Sequence, residues 1–149
     1  MAKVLIKKLN SDVELPAYKT NGASGMDLMA FISEPIRIAS NSSSLVPTGL
    51  SVAFSEDYEV QIRPRSGLAL KNNITVLNTP GTIDSDYRGE IKIILFNHGK
   101  VDFIINNKDR VAQMILTPVV KMELEETDNL PDTLRGEGGF GSTGKWKAN

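Results

Sequence analysis

The sequence contains no cysteine and only one histidine, which narrows the kinds of site that it could build. Without cysteine, the chain has neither a disulfide framework nor a thiolate zinc site. The single histidine, His98, lies in residues 97–100, whose composition is that of a turn, so a surface role is favoured for it. We therefore expect no metal centre built on sulfur or imidazole ligands.

Long apolar runs and a strong excess of one charge are also missing. No stretch approaches the roughly 20 apolar residues that a membrane-spanning helix requires, and residues 1–10 lack the apolar core of a signal peptide. The formal net charge is −1, and the sequence has no long basic block. We therefore predict a cytoplasmic location, with neither a membrane nor a nucleic-acid polymer as partner. A small anionic ligand would need only a local basic cluster.

What the sequence does contain is a series of short β-type runs. The chain has 149 residues, of which 40% are hydrophobic and 23% charged, and this fits one globular domain with a sizeable core. Turn signals recur roughly every ten residues, and residues 40–44 form a serine-rich turn cluster. Helical periodicity is limited to one turn at residues 66–70, with Ser66 as its N-cap. This spacing predicts an all-β sandwich, jelly roll or barrel. The runs with strand character are residues 4–6, 26–30, 36–38, 45–54, 58–63, 74–77, 91–96, 101–105 and 110–120.

The composition of the chain changes near residue 128. Residues 129–149 are rich in glycine and poor in apolar residues, so they bury too little apolar surface to offset the entropy of ordering. We predict a β-rich core domain at residues 1–128 and a flexible, glycine-rich C-terminal arm at residues 129–149. The arm still carries Phe140, Trp146 and several cationic residues, so it could become ordered around an anion.

Residues 78–90 are predicted to form the polar tip of a long hairpin between the runs 74–77 and 91–96. Pro80 followed by Gly81 has the chemistry of a tight turn. The tip also concentrates charged and aromatic side chains, namely Asp84, Asp86, Tyr87 and Arg88. A ring beside a carboxylate could hold a small flat ligand and carry out proton chemistry on it. The alternative is a solvated turn with ordinary surface charges.

Two places in the body of the chain have the chemistry of anion binding. Arg65 would stand just before the helical turn at Ser66, where backbone donors and the helix dipole favour phosphate. Gln113 offers two amide donors close to Arg110, although Arg110 could equally form a weak surface pair with Asp109. Elsewhere, Asp27 could help to hold a hydrated cation, but one carboxylate alone is a weak metal signal.

Residues 139–145 match the phosphate-binding pattern G-x-x-x-x-G-K, but we reject a standard P-loop. Trp146 stands where the P-loop has the Ser or Thr that binds Mg²⁺. The glycines would still let backbone N–H groups approach an anion. Phosphate-type donors in the arm are Arg135, Ser142 and Thr143. An arm that folds over a polyphosphate fits this chemistry, and a plain disordered tail is the alternative.

Five stretches of the sequence, in this order, resemble the five motifs of the trimeric dUTP diphosphatases, or dUTPases. They are residues 23–28 (ASGMDL), 64–69 (PRSGLA), 78–90 (NTPGTIDSDYRGE), 109–113 (DRVAQ) and 135–144 (RGEGGFGSTG). Each motif is weak alone, but five in register are strong, and they cover the chain from about residue 19 onwards. The resemblance implies a distorted jelly-roll subunit, the dUTPase-like β-clip, in a homotrimer whose active sites are shared between subunits.

By this resemblance, the chain would hydrolyse dUTP to dUMP and pyrophosphate with Mg²⁺, which keeps uracil out of DNA and supplies dUMP for dTMP synthesis. Asp84 would be the catalytic residue that orients and deprotonates the water attacking the α-phosphorus. Asp27 would contact Mg²⁺ through water, while the triphosphate itself ligates the metal. The substrate-binding residues that the resemblance implies are Arg65, Ser66, Gly67, Asn78, Gly81, Thr82, Ile83, Tyr87, Gln113, Arg135, Phe140, Gly141, Ser142 and Thr143.

The resemblance also implies a specific role for each of these residues. Tyr87 would pack against the deoxyribose and leave no room for a 2′-hydroxyl, and Asn78 with the backbone of residues 81–83 would bind the uracil edge. The narrow hairpin would reject the thymine methyl group by a clash. Phe140 would stack on the uracil, and closure of the arm would exclude water. The phosphates would be bound by Arg65, Ser66, Gly67 and Gln113, and the γ-phosphate clamped by Arg135, Ser142 and Thr143.

Three other functions are weighed against this one. A dCTP deaminase of the same fold would need a catalytic Glu that, on alignment with Asp84 and Gly89, falls at Ile94, and an isoleucine cannot shuttle protons. A non-catalytic dUTP-binding module would be expected to lose Asp84 or Tyr87. A jelly-roll structural protein explains the strands but not the arm.

Overall fold

The computed structural model describes residues 2–140, and the fold is all-β apart from one short helix, as predicted. The elements are β1 (Leu5–Lys8), β2 (Met26–Met29), β3 (Ile36–Ile38), β4 (Ser42–Pro47), β5 (Leu50–Ala53), β6 (Tyr58–Arg63), α1 (Ser66–Asn72), β7 (Ile74–Val76), β8 (Gly81–Ile83), β9 (Lys92–Asn97), β10 (Phe103–Ile105) and β11 (Arg110–Pro118). Within residues 2–140, no helix is long and apolar enough to cross a membrane.

The strands form four antiparallel sheets, of which the largest carries part of the candidate site. Its strand order is β2-β11-β6-β8, so β11 pairs with both β2 and β6. Gln113 on β11 lies opposite Asp27 on β2 and opposite Arg63 on β6. The other sheets have the orders β4-β9-β7, β1-β5 and β10-β3. The register of β11 therefore brings residues that are distant in sequence into one row.

The predicted hairpin is confirmed at its base and corrected at its tip. Ile74 on β7 lies opposite Asn97 on β9, which is the expected antiparallel pairing. Beyond β7, however, the chain leaves this sheet, and β8 pairs with β6 in the largest sheet, with Ile83 opposite Val60. Pro80 has no backbone N–H, so it cannot continue a ladder next to β9. The tip thus connects two sheets instead of projecting freely from one.

Inward-facing residues from all four sheets form a single buried cluster. On β9, for example, Ile93 and Leu95 are buried while Lys92 is exposed, which is the alternation of a strand with one face in the core. Each such fully buried aliphatic side chain contributes about 1.5–3 kcal/mol relative to an exposed one. The core members, by sheet, are Leu28, Val60, Ile62, Val111 and Ala112; Val46, Ile74, Val76, Ile93 and Leu95; Leu50 and Val52; and Ile38 and Ile105.

The polar side chain of Asn97 lies fully inside this core. Its Nδ2 donates hydrogen bonds to the carbonyls of Ile38 (3.0 Å) and Val101 (2.8 Å), and its Oδ1 accepts one from the backbone N–H of Gly99 (2.8 Å). Because buried polar groups are costly unless they are hydrogen-bonded, Asn97 ties β3 and the turn after β9 to the base of the hairpin.

Two local predictions from the sequence are wrong. Ser42 belongs to β4 and not to a turn, because β4 pairs with the largely buried β9 and this pairing outweighs the turn preference of serine. The helix is a seven-residue element, and its N-cap is Arg65 instead of Ser66. Arg65 has extended backbone angles and makes no side-chain capping bond, since its guanidinium contacts Asp27.

Candidate active site

The first group of predicted site residues surrounds Asp27 on β2. One carboxylate oxygen of Asp27 accepts a hydrogen bond from Nε of Arg65 (2.9 Å), and the other accepts one from Nη1 of Arg110 (3.1 Å). Nη1 of Arg65 also donates to the backbone carbonyl of Arg110 (3.2 Å). The Asp27 side chain is 20% exposed and that of Arg65 26% exposed, so the network is partly shielded from water. Two cations on one anion give the network a net positive charge.

The expectation that Arg110 could pair with Asp109 is wrong. The Asp109 carboxylate instead accepts a hydrogen bond from the backbone N–H of Asn106 (2.8 Å), which closes the turn before β11. The register between β11 and β2 shifts between Arg110 and Ala112, which is the signature of a β-bulge. A bulge re-aims the side chains beside it, and Arg110 here points at Asp27.

Gln113 completes this first group, which we call the phosphate-side group: Asp27, Arg65, Arg110 and Gln113. The Gln113 Nε2 donates a hydrogen bond to the carbonyl of Pro64 (2.9 Å). A Cβ atom on Gly25 would lie 2.7 Å from Oε1 of Gln113, so the glycine leaves the space that the carboxamide occupies. Next to the group, Ser66 and Gly67 are exposed at the start of α1, and space around Gly67 is open.

A cationic cleft lies beside the phosphate-side group. It is lined by three cationic residues, Arg65, Arg110 and Lys108, by one acidic residue, Asp109, and by apolar side chains. The ammonium of Lys108 contacts the carboxylate of Glu14 at 2.6 Å. Hydrogen bonding and charge attraction within this pair lower the pKa of Glu14 and raise the pKa of Lys108. The cleft therefore offers the charge and the donors that bind a phosphate chain.

The second group lies at the hairpin tip, and we call it the hairpin group: Asn78, Gly81, Thr82, Ile83, Asp84 and Tyr87. Asp84 follows β8 directly, and its carbonyl accepts a hydrogen bond from the N–H of Tyr87 (3.1 Å), which closes a tight turn. The Asp84 side chain lies where two clefts meet, and one of them is lined by Thr82, Ile83, Tyr87, Glu90 and Lys92. Within residues 2–140, its carboxylate makes no hydrogen bond to protein.

Tyr87 is held by local contacts. Its hydroxyl donates to the carbonyl of Glu90 (3.0 Å), and its phenol ring lies over Gly89, where any Cβ atom would collide with it. The Glu90 carboxylate accepts a hydrogen bond from the N–H of Gly49 (2.8 Å), which anchors the end of the tip. Arg88 braces the turn by donating to the carbonyls of Ser85 (2.6 Å) and Tyr87 (3.1 Å).

Asn78 and Gly81 are also brought together in the structure. A Cβ atom on Gly81 would lie 3.2 Å from Nδ2 of Asn78 and 3.3 Å from Cβ of Ile62. Lys92 lines the cleft beside Asp84 and Tyr87, and the sequence did not lead us to predict it as a site residue. Its outward position on β9, two residues after Glu90 and between buried neighbours, is the signal that could have found it.

The two groups border different parts of the same sheet. Along β6, Arg63 lies opposite Gln113 of the phosphate-side group, while Ile62 and Val60 lie opposite Gly81 and Ile83 of the hairpin group. Asp84 therefore lies towards one end of β6, and Arg65 follows its other end. The two groups line separate clefts.

The predicted arm residues are only partly described. Nε of Arg135 donates to the carbonyl of Gly138 (2.7 Å), and the Phe140 side chain is fully exposed. Gly141, Ser142 and Thr143 lie outside the described residues.

Comparison with known proteins identifies relatives across almost the whole chain. The sequence model of a family described as dUTPase matches residues 11–144. The deoxyuridine 5′-triphosphate nucleotidohydrolase of Nautilia profundicola is 54% identical over 143 residues, which are 96% of this chain and 99% of the relative. The enzyme of the same name from Rickettsia massiliae is 53% identical over 97% of this chain and 98% of its own.

Solved structures share the fold at lower identity. A dUTPase of Staphylococcus bacteriophage 80alpha, solved with dUpNHpp, matches with a TM-score of 0.84 and 21% identity, over 96% of this chain and 99% of its own. A dUTPase variant from phage phi11 of S. aureus, described as revealing the coordination of a structural Mg(II) ion, matches with a TM-score of 0.76 and 19% identity, over 87% of this chain and 99% of its own. These likenesses confirm the predicted fold.

Proposed function

The chain belongs to the dUTPase family and is a dUTP-hydrolysing enzyme, and we propose that it forms dUMP and pyrophosphate by attack of water on the α-phosphorus, with Mg²⁺. The observation that carries this mechanism is the contrast between a satisfied cationic cluster around Asp27 and an exposed carboxylate, Asp84, at the edge of a narrow cleft. In the cell, this reaction would keep uracil out of DNA and supply dUMP for dTMP synthesis.

Asp84 is proposed as the catalytic residue. Its carboxylate stands at a turn with no protein hydrogen bond among residues 2–140, so it can accept one from a water molecule. As the water attacks phosphorus, a carboxylate held in this way can take up the proton that is released. General-base catalysis of this kind contributes roughly 10²–10⁴-fold to a rate.

The hairpin group is proposed to bind the nucleoside. The Tyr87 ring, fixed by its bond to Glu90, would pack against the deoxyribose and exclude a 2′-hydroxyl. Asn78 and the backbone of residues 81–83 would bind the uracil edge, and the close approach of Asn78 to Gly81 fits a narrow slot. A slot of this kind rejects a thymine methyl group by steric clash.

The phosphate-side group is proposed to bind the triphosphate. Arg65 and Gln113 would supply side-chain donors, and Ser66 and Gly67 would supply donors at the start of α1. Among residues 2–140 no cluster of three or more His, Cys, Asp or Glu could hold a metal ion, so this part of the chain offers no dense carboxylate cage. The oxygens of Asp27 suit the water shell of Mg²⁺, and the bound ion would neutralise phosphate charge. A structural Mg(II) ion in the phi11 relative supports a role for this metal in the family.

We propose a homotrimer in which the phosphate-side group of one subunit meets the hairpin group of another. The two groups line separate clefts of one chain, which supports such sharing. Beyond β11, Val120, Met122 and Leu124 alternate with charged residues and are 92%, 85% and 86% exposed. This period of two, with apolar residues on one side, is the pattern of a strand that covers a partner.

The division into a core at residues 1–128 and an arm at residues 129–149 is part of the same proposal. The arm would close over the bound nucleotide, with Phe140 on the uracil and a clamp on the γ-phosphate. Its clamp residues would be Arg135, Ser142 and Thr143, and Gly141 would also contact the substrate. Closure of such a segment excludes water and fixes the geometry for in-line attack.

The test is pyrophosphate release from dUTP, dTTP, dCTP and UTP with Mg²⁺, using the full chain, a chain ending at residue 133, and Asp84→Asn. We expect release from dUTP alone, loss of this activity without the arm, and a fall in turnover of at least about 10²-fold in Asp84→Asn with dUTP binding retained. Full activity of Asp84→Asn would contradict the proposed role of that residue. Release of ammonia from dCTP would indicate a deaminase, and binding without turnover in the wild type would indicate a non-catalytic module.

A further inference from the structure

Arg110 belongs to the phosphate-side group, but the function proposed above gives it no individual role. Its Nη1 donates to Asp27 Oδ2 (3.1 Å), and its carbonyl accepts a hydrogen bond from Arg65 Nη1 (3.2 Å). Arg110 therefore contacts both members of the closer ion pair, Asp27 with Arg65. Its side chain is 51% exposed, so it borders the cleft without filling it.

The charges of this network have a consequence for substrate binding. Without ligand, Arg65 and Arg110 both neutralise Asp27. If Arg65 turns towards a triphosphate, only Arg110 remains to neutralise the carboxylate. A bare carboxylate a few ångströms from phosphate oxygens would repel the substrate.

We propose that Arg110 is a positioning residue that keeps Asp27 neutralised and fixed while Arg65 is transferred to the substrate phosphates. This inference rests on the proposed function, because it concerns how the same site accepts a triphosphate. It assigns to Arg110 a task that matters most before Mg²⁺ is bound, since the metal with its waters afterwards compensates the negative charge of Asp27.

Among the described residues, the other cation that lines this cleft beside Arg65 and Arg110 is held elsewhere. Lys108 lines the same cleft, but its ammonium lies 2.6 Å from the carboxylate of Glu14. The position of Arg110 depends on the bulge between Arg110 and Ala112, which gives its guanidinium an approach to the second oxygen of Asp27. Each oxygen of Asp27 therefore has its own guanidinium donor.

The experiment measures binding of the non-hydrolysable analogue dUpNHpp by calorimetry, with and without Mg²⁺, to wild type, Arg110→Gln and Arg110→Lys. In Arg110→Gln we expect the ratio of the Mg²⁺-free Kd to the Mg²⁺-bound Kd to rise about tenfold over wild type, the effect of one unpaired charge near a phosphate in a partly solvated site. Arg110→Lys should lie between the two, because it restores the charge but not the paired geometry.

Two controls separate this task from a general structural one. Arg37→Gln removes another exposed arginine that pairs with an aspartate, Asp102, on a different sheet, and it should leave the ratio unchanged. Asp27→Asn combined with Arg110→Gln removes the charge that Arg110 compensates, so it should restore Mg²⁺-free binding relative to Arg110→Gln alone. Equal weakening with and without Mg²⁺, or no restoration in the double variant, would overturn the inference.

The same samples distinguish failure of this inference from failure of the proposed function. Wild-type turnover of dUTP is measured in parallel, and its absence would count against the proposed function. Normal wild-type turnover together with an unchanged Kd ratio in Arg110→Gln would count against the role of Arg110 alone.

Discussion

The phosphate-side group and the hairpin group are held in opposite ways. Around Asp27, the residues bond to one another across strands that are distant in sequence, and both carboxylate oxygens are occupied. At the tip, Tyr87 and Arg88 bond to backbone carbonyls within a few residues, and Asp84 is left exposed. A phosphate-binding site needs its cationic side chains held in place before the substrate arrives, whereas a catalytic carboxylate must remain open to water. The two groups therefore differ in their hydrogen bonding in the way that their proposed roles require.

The largest expected effect comes from mixing two inactive chains. Arg65→Ala damages only the phosphate-side group, and Asp84→Asn damages only the hairpin group. If each site takes one group from each of two subunits, a mixed trimer contains sites with both groups intact. After equal mixing, each of the two groups at a site has a chance of about one half of coming from a chain in which it is intact. About one quarter of the sites then have both groups intact, so we expect about one quarter of wild-type dUTP turnover.

This experiment uses unfolding and refolding of the mixed chains, with each variant refolded alone as its control. Either variant alone should stay inactive. A mixture no more active than the separate variants would show that both groups act from the same chain. That result would contradict the proposal that each site takes its two groups from different subunits.

The second prediction concerns Asn97, at the base of the hairpin and far from its tip. Asn97→Ala leaves the carbonyls of Ile38 and Val101 and the N–H of Gly99 without their partner. We expect a loss of about 2–4 kcal/mol in the free energy of unfolding, measured by urea denaturation. Because the tip is braced by its own local bonds, dUTP turnover by the folded fraction should change little. Ser40→Ala, which removes one partly buried bond to the same Gly99 residue, is the matched control with a smaller expected loss.

The contacts within the hairpin group are local, whereas those of the phosphate-side group are not. Tyr87 bonds to Glu90 and Arg88 to Ser85 within one short stretch, but the tight turn predicted at Pro80 and Gly81 is wrong, because Gly81 begins β8 and pairs with β6. The bond between Arg110 and Asp27 depends on a bulge and on the register of β11 against β2, which no local pattern specifies. The strand at Ser42 was missed for the same reason, because its partner β9 lies 50 residues away in sequence.

The third prediction compares two glycines, one in each group. Gly25→Ala would place a methyl group 2.7 Å from Oε1 of Gln113, so it should raise the KM for dUTP and lower the free energy of unfolding by about 1–3 kcal/mol. Gly89→Ala would displace the Tyr87 ring instead. Its stability should change by less than about 1 kcal/mol, because the residue lies at an exposed turn, but the preference for dUTP over UTP should fall.

Gly22→Ala is the control for both, because no atom lies within 4 Å of the added methyl group. Steady-state kinetics on dUTP and UTP, together with thermal unfolding, would separate the two effects. If Gly89→Ala lost stability but kept its preference for dUTP over UTP, Tyr87 would stabilise the turn and would not exclude the 2′-hydroxyl.

The smallest expected effect is electrostatic and belongs to Lys108 and Glu14, beside the phosphate-side group. Lys108 lowers the pKa of Glu14, so the pair stabilises the fold above the ordinary value of 4.5, and this contribution is lost as pH falls through the lowered value. Glu14 raises the pKa of Lys108, so the contribution is present below 10.5 and is lost as pH rises through the raised value. Lys108→Met should therefore lower Tm slightly and evenly between about pH 6 and 9, and the difference should vanish in acid and in high salt. Lys121→Met, which removes the exposed pair with Glu56 near the tip, should change Tm in the same way.

The two variants should differ in substrate binding, because Lys108 lines the cationic cleft and Lys121 does not. A rise in the KM for dUTP in Lys108→Met but not in Lys121→Met would support binding of the triphosphate at the phosphate-side group. The same KM in both variants would place the triphosphate elsewhere.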